Sequence, residues 1–272
     1  MTKAACIQIN GSNIIEENIA KFDKLIRAAV SDGAEFILTP ESSSMMHKTT
    51  KELFENATTE ENDITLKFFR NIAKELNIFI LIGSLSIKEK EDSEKLYNRS
   101  YMINSEGGII SRYDKIHLYN VELANGETYE ESKNFLSGNK EVSVQLPFGK
   151  LGMTICYDLR FPHLFRDLAQ SGSDFISAPA AFIEFTGKAH WETLLRARAI
   201  ENGCYIIAPA QTGTHATGRV TFGNSMIIDP WGIILAKMGP EEGFVMADIN
   251  KDKVAEIRAS MPSLSHDRGY SK

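Results

Sequence analysis

Lys150-Leu151-Gly152-Met153-Thr154-Ile155-Cys156-Tyr157-Asp158-Leu159-Arg160-Phe161-Pro162 reads as a buried strand that ends at a thiol, turns through polar residues and leads into a helix. Ligand sites of α/β sheets form beyond such strand ends, and the backbone N–H after the cysteine can face a substrate oxygen. A free cysteine also packs as a small apolar residue. This segment alone divides evenly between a nucleophile and a structural thiol.

Downstream, Phe165–Ser171 fits a helix closed by Gly172, Phe175–Ala178 a strand, Ala189–Asn202 a helix ending at Gly203, and Cys204–Ala208 a further strand. Apolar runs at Ser225–Ile228, Gly232–Ala236 and Phe244–Ile249 read as strands, and Asn250–Ser260 as a last helix. Upstream, Lys3–Ile9 is strand-like. Ile15, Ile19, Phe22, Leu25, Ile26 and Ala29 lie near helical spacing, and Asp32-Gly33 closes that helix. A second strand, Glu35–Leu38, runs into Thr39-Pro40-Glu41. Leu66, Phe69, Ile72, Ala73 and Leu76 mark another helix before the apolar run Ile78–Ile82. Ser105-Glu106-Gly107-Gly108 joins Tyr97–Ile103 to Ile109–Tyr113 as a hairpin. The polar stretch His117–Asn139 reads as a long irregular segment, the kind of loop that is functional or mobile. Alternating strands and helices followed by clustered strands give mixed α/β layers. One domain over residues 1–272 is the simplest organisation, with no linker or internal sequence repeat.

The 272 residues suffice for a large core without disulfides or metal. A formal net charge of −6 argues against a nucleic-acid partner, which requires a basic face. No apolar run reaches the roughly 18–20 residues of a membrane span, and Met1–Asn10 has no secretory apolar region. Three cysteines, Cys6, Cys156 and Cys204, do not form a disulfide framework. Reduced thiols suit the cytoplasm. Cys6 and Cys204 fall inside apolar runs and read as packing residues. His47, His117, His163, His190, His215 and His266 show neither a thiol-protease context nor metal-ligand spacing.

Two further residues share the placement of Cys156 just past a buried strand. Glu41 follows Leu38-Thr39-Pro40, and Lys115 follows Arg112-Tyr113-Asp114. Each alone reads as a surface charge. Together, Pro40-Glu41, Tyr113-Asp114-Lys115-Ile116-His117-Leu118 and Cys156-Tyr157-Asp158-Leu159-Arg160-Phe161-Pro162 resemble the three signatures of the carbon–nitrogen hydrolase family, also called the nitrilase superfamily. The resemblance spans nearly the whole chain. It implies a four-layer αββα sandwich, a Glu41-Lys115-Cys156 triad, and an additional glutamate at Glu131 in Tyr129-Glu130-Glu131-Ser132. Thr186-Gly187-Lys188-Ala189-His190-Trp191-Glu192, Ala210-Gln211-Thr212-Gly213 and Phe222–Gly232 resemble the deaminated-glutathione amidases and neighbouring ω-amidases. By that likeness Arg160, Phe182 and Thr186 bind the 2-oxo acid end of a linear amide, whereas His190 and Trp191 read as packing residues. Asn224, where relatives often carry His, and Glu184, close to the expected anion site, depart from the pattern.

The chemistry implied is attack by Cys156, proton transfer through Glu41, and an oxyanion held by Lys115 and the Tyr157 N–H. Ammonia leaves and a thioester is hydrolysed. A carboxylate can serve as the base here if burial raises its pKa toward neutrality, and Lys115 favours the thiolate electrostatically. Arg160 has an alternative partner in Asp158. No metal or organic cofactor is called for, and a homodimer or higher homo-oligomer is implied. Other readings are an ω-amidase acting on 2-oxoglutaramate, a hydrolase of carbamoyl compounds or nitriles, or a catalytically silent binding protein on the same fold.

Overall fold

Side-chain alternation along the first strands sets the layering. In a computed structural model that describes residues 1–124, 126–269 and 271, strand Thr2–Gln8 directs Ala4 and Cys6 to one core and Ala5 and Ile7 to another. Phe36 and Leu38 join the first core and Ile37 the second; Leu81 faces opposite to Ile80 and Ile82. A strand directs successive residues to opposite faces, so an apolar run without alternation is a strand covered on both sides. Helices Ile15–Ser31 and Ile64–Leu76 cover one face of this sheet through Phe22, Ile26, Phe69 and Ile72. The other face meets a second sheet, whose far side is covered by helices Pro162–Gln170 and Glu184–Asn202 through Phe165, Leu168, Trp191 and Leu195. The result is the expected αββα sandwich.

The two sheets share one topology. In the first, Thr2–Gln8, Phe36–Leu38 and Phe79–Lys88 are parallel neighbours. Leu96–Ile103 and Ile109–Asp114 continue antiparallel on one side, and Gly243–Ile249 closes the other. In the second, Gly149–Met153, Phe175–Ser177 and Tyr205–Ala208 are parallel. Met226–Ile228 and Ile234–Lys237 extend that sheet antiparallel, and Val142–Leu146 flanks it. An internal repeat is therefore present in topology although none is visible in sequence. Any apolar side chains can fill equivalent strands.

The segment His117–Asn139 is more ordered than its polarity suggests. Asn120–Glu122 and Thr128–Glu130 form a small hairpin, Glu131–Lys133 a 3₁₀ turn, and Phe135–Leu136 pairs with strand Leu96–Ile103. Asn125, inside this segment, lies outside the described residues. Helix Glu184–Asn202 starts five residues before the expected Ala189. The short helix Thr50–Asn56, with Thr49 accepting from the Glu52 N–H, has no counterpart in the sequence reading.

Gly83 lets the first sheet approach the turn that carries Glu41. A Cβ there would lie 2.2 Å from the Thr39 carbonyl oxygen and 2.4 Å from that of Pro40, far inside van der Waals contact. Gly83→Ala is expected to lower stability by at least about 1–3 kcal/mol and to displace Glu41. Urea unfolding and turnover of the variant check this; unchanged values for both would show that the turn does not depend on this close approach.

Candidate active site

Glu41, Lys115, Glu131 and Cys156 converge at the ends of strands from both sheets. Glu41 follows Phe36–Leu38, Lys115 follows Ile109–Asp114 in the same sheet, and Cys156 follows Gly149–Met153 in the other. Glu131 comes from the 3₁₀ turn after the small hairpin. The Lys115 ammonium, 2 % exposed, donates to Glu41 Oε1 at 2.8 Å and to Glu131 Oε2 at 2.9 Å and Oε1 at 3.1 Å. An ammonium has three N–H groups, and these three contacts, two of them to Glu131, engage it on its carboxylate side. Asn98 Nδ2 donates to both carboxylates, at 3.0 Å each, and the Ala181 N–H donates to Glu41 Oε2 at 2.9 Å. The Tyr119 N–H donates to Glu131 Oε2 at 2.6 Å.

Cys156 sits where the strand gives way to the 3₁₀ turn Cys156–Arg160, with its backbone in the left-handed region at φ 48°. A non-glycine residue rarely takes that conformation, and such strain persists only where the surroundings impose it. The Cys156 N–H is bonded to the Pro179 carbonyl at 2.8 Å. Asp158, fully buried, accepts from the Ile155 N–H at 2.9 Å, the Tyr113 hydroxyl at 2.7 Å and the His117 N–H at 3.1 Å. That carboxylate ties the cysteine turn of one sheet to the lysine segment of the other. From the helix behind, Arg198 donates twice to the Leu159 carbonyl, at 2.7 and 3.0 Å. Tyr157 is the second residue of the turn, within the first turn, where an N–H has no acceptor within the helix.

The net ionisation of Glu41 runs opposite to the rise that burial alone would give, while Lys115 does favour the thiolate but is outweighed. Burial pushes the Glu41 carboxyl upward, but the Lys115 charge and the hydrogen bonds to the carboxylate outweigh it and hold the group at about 2. Glu41 is therefore ionised at rest. Burial and the Glu41 charge raise the Cys156 thiol well above the ordinary cysteine range despite the opposing pull of Lys115. Burial alone would lower the Lys115 pKa, yet its two carboxylates raise it. The resting cluster thus holds two carboxylates, an ammonium and a neutral thiol, with the Glu41 carboxylate within hydrogen-bonding reach of that thiol.

A cavity of about 290 Å³ opens over the cluster, and Arg160, Phe182, Thr186 and the Tyr157 backbone turn line it. Arg160 does not pair with Asp158. Its guanidinium lies 5.2 Å from the Phe182 ring centre and contacts His190 Nδ1 at 3.3 Å. His190 is accordingly an exposed neighbour of Arg160, whereas Trp191 is fully buried and donates to the Asn224 carbonyl at 2.9 Å. Glu184 pairs with Lys188 at 3.1 Å and is absent from the catalytic cavity. Asn224 takes a left-handed backbone at φ 57° and closes a turn onto the Phe222 carbonyl. Cys6 and Cys204 are fully buried in the core. Among the described residues no cluster of three or more His, Cys, Asp or Glu could hold a metal ion, and no helix is long and apolar enough to cross a membrane.

Sequence reading missed Asn98, the Ala181 N–H, Tyr119 and Arg219, all part of this site. Asn98 carried a usable signal, because it shares strand parity with Ser100 and the buried Met102. A polar side chain at an inward position of an apolar strand must find a buried partner. The other three leave no trace in the local pattern.

Residues 3–259 match the sequence model of the family described as carbon-nitrogen hydrolase. A protein of Synechocystis sp. named deaminated glutathione amidase is 43 % identical over 265 residues, covering 97 % of each chain. A probable hydrolase, nit2, of Schizosaccharomyces pombe is 38 % identical over 276 residues, covering 99 % of each. The crystal structure of the Caenorhabditis elegans NitFhit protein superposes with a TM-score of 0.91 at 33 % identity, over 98 % of this chain and 65 % of that longer one. With its strand-end Glu41, Lys115 and Cys156 in the family's order, the chain belongs to the carbon-nitrogen hydrolase family.

Proposed function

We propose that the protein hydrolyses a linear 2-oxo acid amide through a thioester on Cys156, with Glu41 as proton carrier and Lys115 as oxyanion donor. The observation that carries the reading is the buried cluster in which Lys115 bridges Glu41 and Glu131 beside the thiol. The relatives named deaminated glutathione amidase support an amide of that class as substrate.

In the resting state the base is ready and the nucleophile is not. Sγ of Cys156 bonds to the amide carbon as its proton passes to Glu41. The carbonyl oxygen takes up negative charge beside the Lys115 ammonium and the Tyr157 N–H, which would stabilise it as it forms. As the C–N bond breaks, the departing nitrogen takes the proton from Glu41, leaving a thioester. Water then loses a proton to Glu41 and attacks the same carbon. The C–S bond breaks, the acid leaves, and the thiol regains its proton. Glu131 keeps the ammonium charged and oriented. A Glu41 pKa near 2 makes it a weak base in the free enzyme, but the thiol proton need move only as sulfur attacks.

The cytoplasm suits a protein with three free thiols. A homodimer is the assembly proposed, and Ile200, Trp231, Ile233 and Leu235, all exposed, offer apolar surface for it. Sedimentation at micromolar concentration should give a dimer, and a stable monomer would contradict the assembly.

Cys156→Ala should abolish turnover with the fold intact, whereas Cys204→Ala should keep it. Glu41→Gln should lower kcat by about 10²- to 10⁴-fold. Steady-state rates on deaminated glutathione, with circular dichroism as the folding control, test both, and near-normal turnover by Glu41→Gln would remove it from the proton path. Arg160→Met should raise KM strongly for 2-oxo acid amides and barely alter it for a neutral amide of similar length, since the guanidinium fork matches a carboxylate. Equal losses on the two substrates would make Arg160 a structural residue.

A further inference from the structure

The buried cluster leaves one carboxylate lone pair uncommitted. A carboxylate offers about four lone-pair sites. Among the described residues, those of Glu131 are all taken: Asn98 and Lys115 donate to Oε1, and Lys115 and the Tyr119 N–H donate to Oε2. On Glu41, Asn98 and Lys115 fill Oε1, and the Ala181 N–H takes one side of Oε2. The other side of Oε2 is left for the Cys156 thiol, which lies within hydrogen-bonding reach of this carboxylate. Once sulfur is acylated it has no proton to give, and that lone pair is free.

Tyr119 brings an unmatched hydroxyl to the same cavity. Its main chain is tied to Glu131 in both directions: the Tyr119 N–H donates to Oε2 at 2.6 Å, and the Glu131 N–H donates to the Tyr119 carbonyl at 3.2 Å. Its ring is held between those of Tyr157 at 5.0 Å and Tyr129 at 5.2 Å. The side chain lines the cavity with Glu41, Lys115 and Cys156, close enough to Cys156 for a thiolate there to act on it. Burial holds the phenol above its ordinary pKa, so it is a neutral hydroxyl at neutral pH. Its oxygen is buried and has no partner among the described residues. A phenylalanine ring would pack between the same neighbours, so packing does not account for the hydroxyl. A buried polar atom without a partner is costly and is explained where the reaction supplies the missing one.

We infer that Tyr119 is a further catalytic residue, whose hydroxyl holds the water that hydrolyses the thioester. A fixed water makes about two to four hydrogen bonds. This one gives one hydrogen to the Glu41 lone pair that the thiol has vacated and the other to the Tyr119 oxygen, which turns an oxygen lone pair toward the thioester carbon. As the C–O bond forms, the first proton passes to Glu41. The C–S bond then breaks, the acid leaves, and sulfur takes that proton back. Tyr119 keeps its own proton throughout. It has no part in the first half of the reaction, when the thiol itself occupies Glu41. The inference rests on the amidase reading above and gives the second half of that reaction a residue of its own.

Two substrates with one acyl group test this: deaminated glutathione, and the p-nitrophenyl ester of the distal carboxyl of 2-oxoglutarate. p-Nitrophenolate leaves readily, so breakdown of the thioester limits the ester reaction. Tyr119→Phe keeps the ring and removes only the hydroxyl. Its initial burst of p-nitrophenolate should match the wild type in rate. Its steady-state rate should fall about 5- to 10-fold, the worth of one hydrogen bond, and protein quenched in acid during turnover should carry more thioester by mass. Its melting temperature should not fall, because the hydroxyl has no protein partner to lose. An unchanged steady-state rate overturns the inference, as does equal slowing of burst and steady state, or a lower melting temperature, which would mark the hydroxyl as structural. In each of these cases turnover of deaminated glutathione by the wild type leaves the amidase reading standing. A wild type that cleaves neither substrate overturns both.

Discussion

The site is organised around a buried ammonium shared by two carboxylates. Lys115 lies almost wholly out of water, and so does Glu41, an arrangement whose desolvation penalty is offset only by excellent geometry and additional hydrogen bonds. Asn98, bonded to both carboxylates, and the N–H groups of Ala181 and Tyr119 supply them. Removing one partner would leave an uncompensated buried charge at a cost of about 3–5 kcal/mol. The same charges help set the protonation states: the ammonium holds Glu41 ionised, and burial together with the ionised Glu41 holds the adjacent thiol neutral. The thiol and the carboxylate therefore rest side by side, one neutral and the other ionised.

That arrangement requires two sheets to meet in register. Glu41 and Lys115 extend from one sheet and Cys156 from the other, and the buried Asp158 connects them by accepting from Tyr113, His117 and Ile155. The inter-sheet core includes Cys6, Phe36 and Leu38 on one side and Met153 and Phe175 on the other, and its close packing transmits any shift of one sheet to the distances within the buried cluster. Gly83 plays the same part within the first sheet, where the backbone passes too near Thr39 and Pro40 for a side chain. The strained Cys156 backbone is held from behind by Arg198 on Leu159 and from above by Pro179. Strain of this kind is stable only when it is overdetermined.

Around this fixed centre, the side chains that line the cavity come from different elements. Arg160 belongs to the cysteine turn, Phe182 and Thr186 to the loop and helix start that follow, and Arg219 to a hairpin of the second half of the chain. Glu41, Lys115 and Cys156 thus sit just past strand ends and much of the remaining cavity lining on loops, a division common among folds that carry sites on a stable scaffold.

The sequence by itself determined much of this protein. Apolar runs marked most strands, glycines closed the helices at Gly33, Gly172 and Gly203, and three short segments carried the family resemblance and with it Glu41, Lys115 and Cys156. These are local signals, since periodicity, turn chemistry and motif spacing act over a few residues. Only the tertiary structure decided that His117–Asn139 would fold around Glu131, that the two halves share one sheet topology, and that Arg160 would face Phe182 rather than Asp158. It also decided the ionisation of the cluster, because Glu41 and Lys115 are 74 residues apart in the chain and 2.8 Å apart in space. Burial by itself would have raised the glutamate; the charge that lowers it arrives from another strand, and Coulomb energy depends on distance through space rather than along the chain.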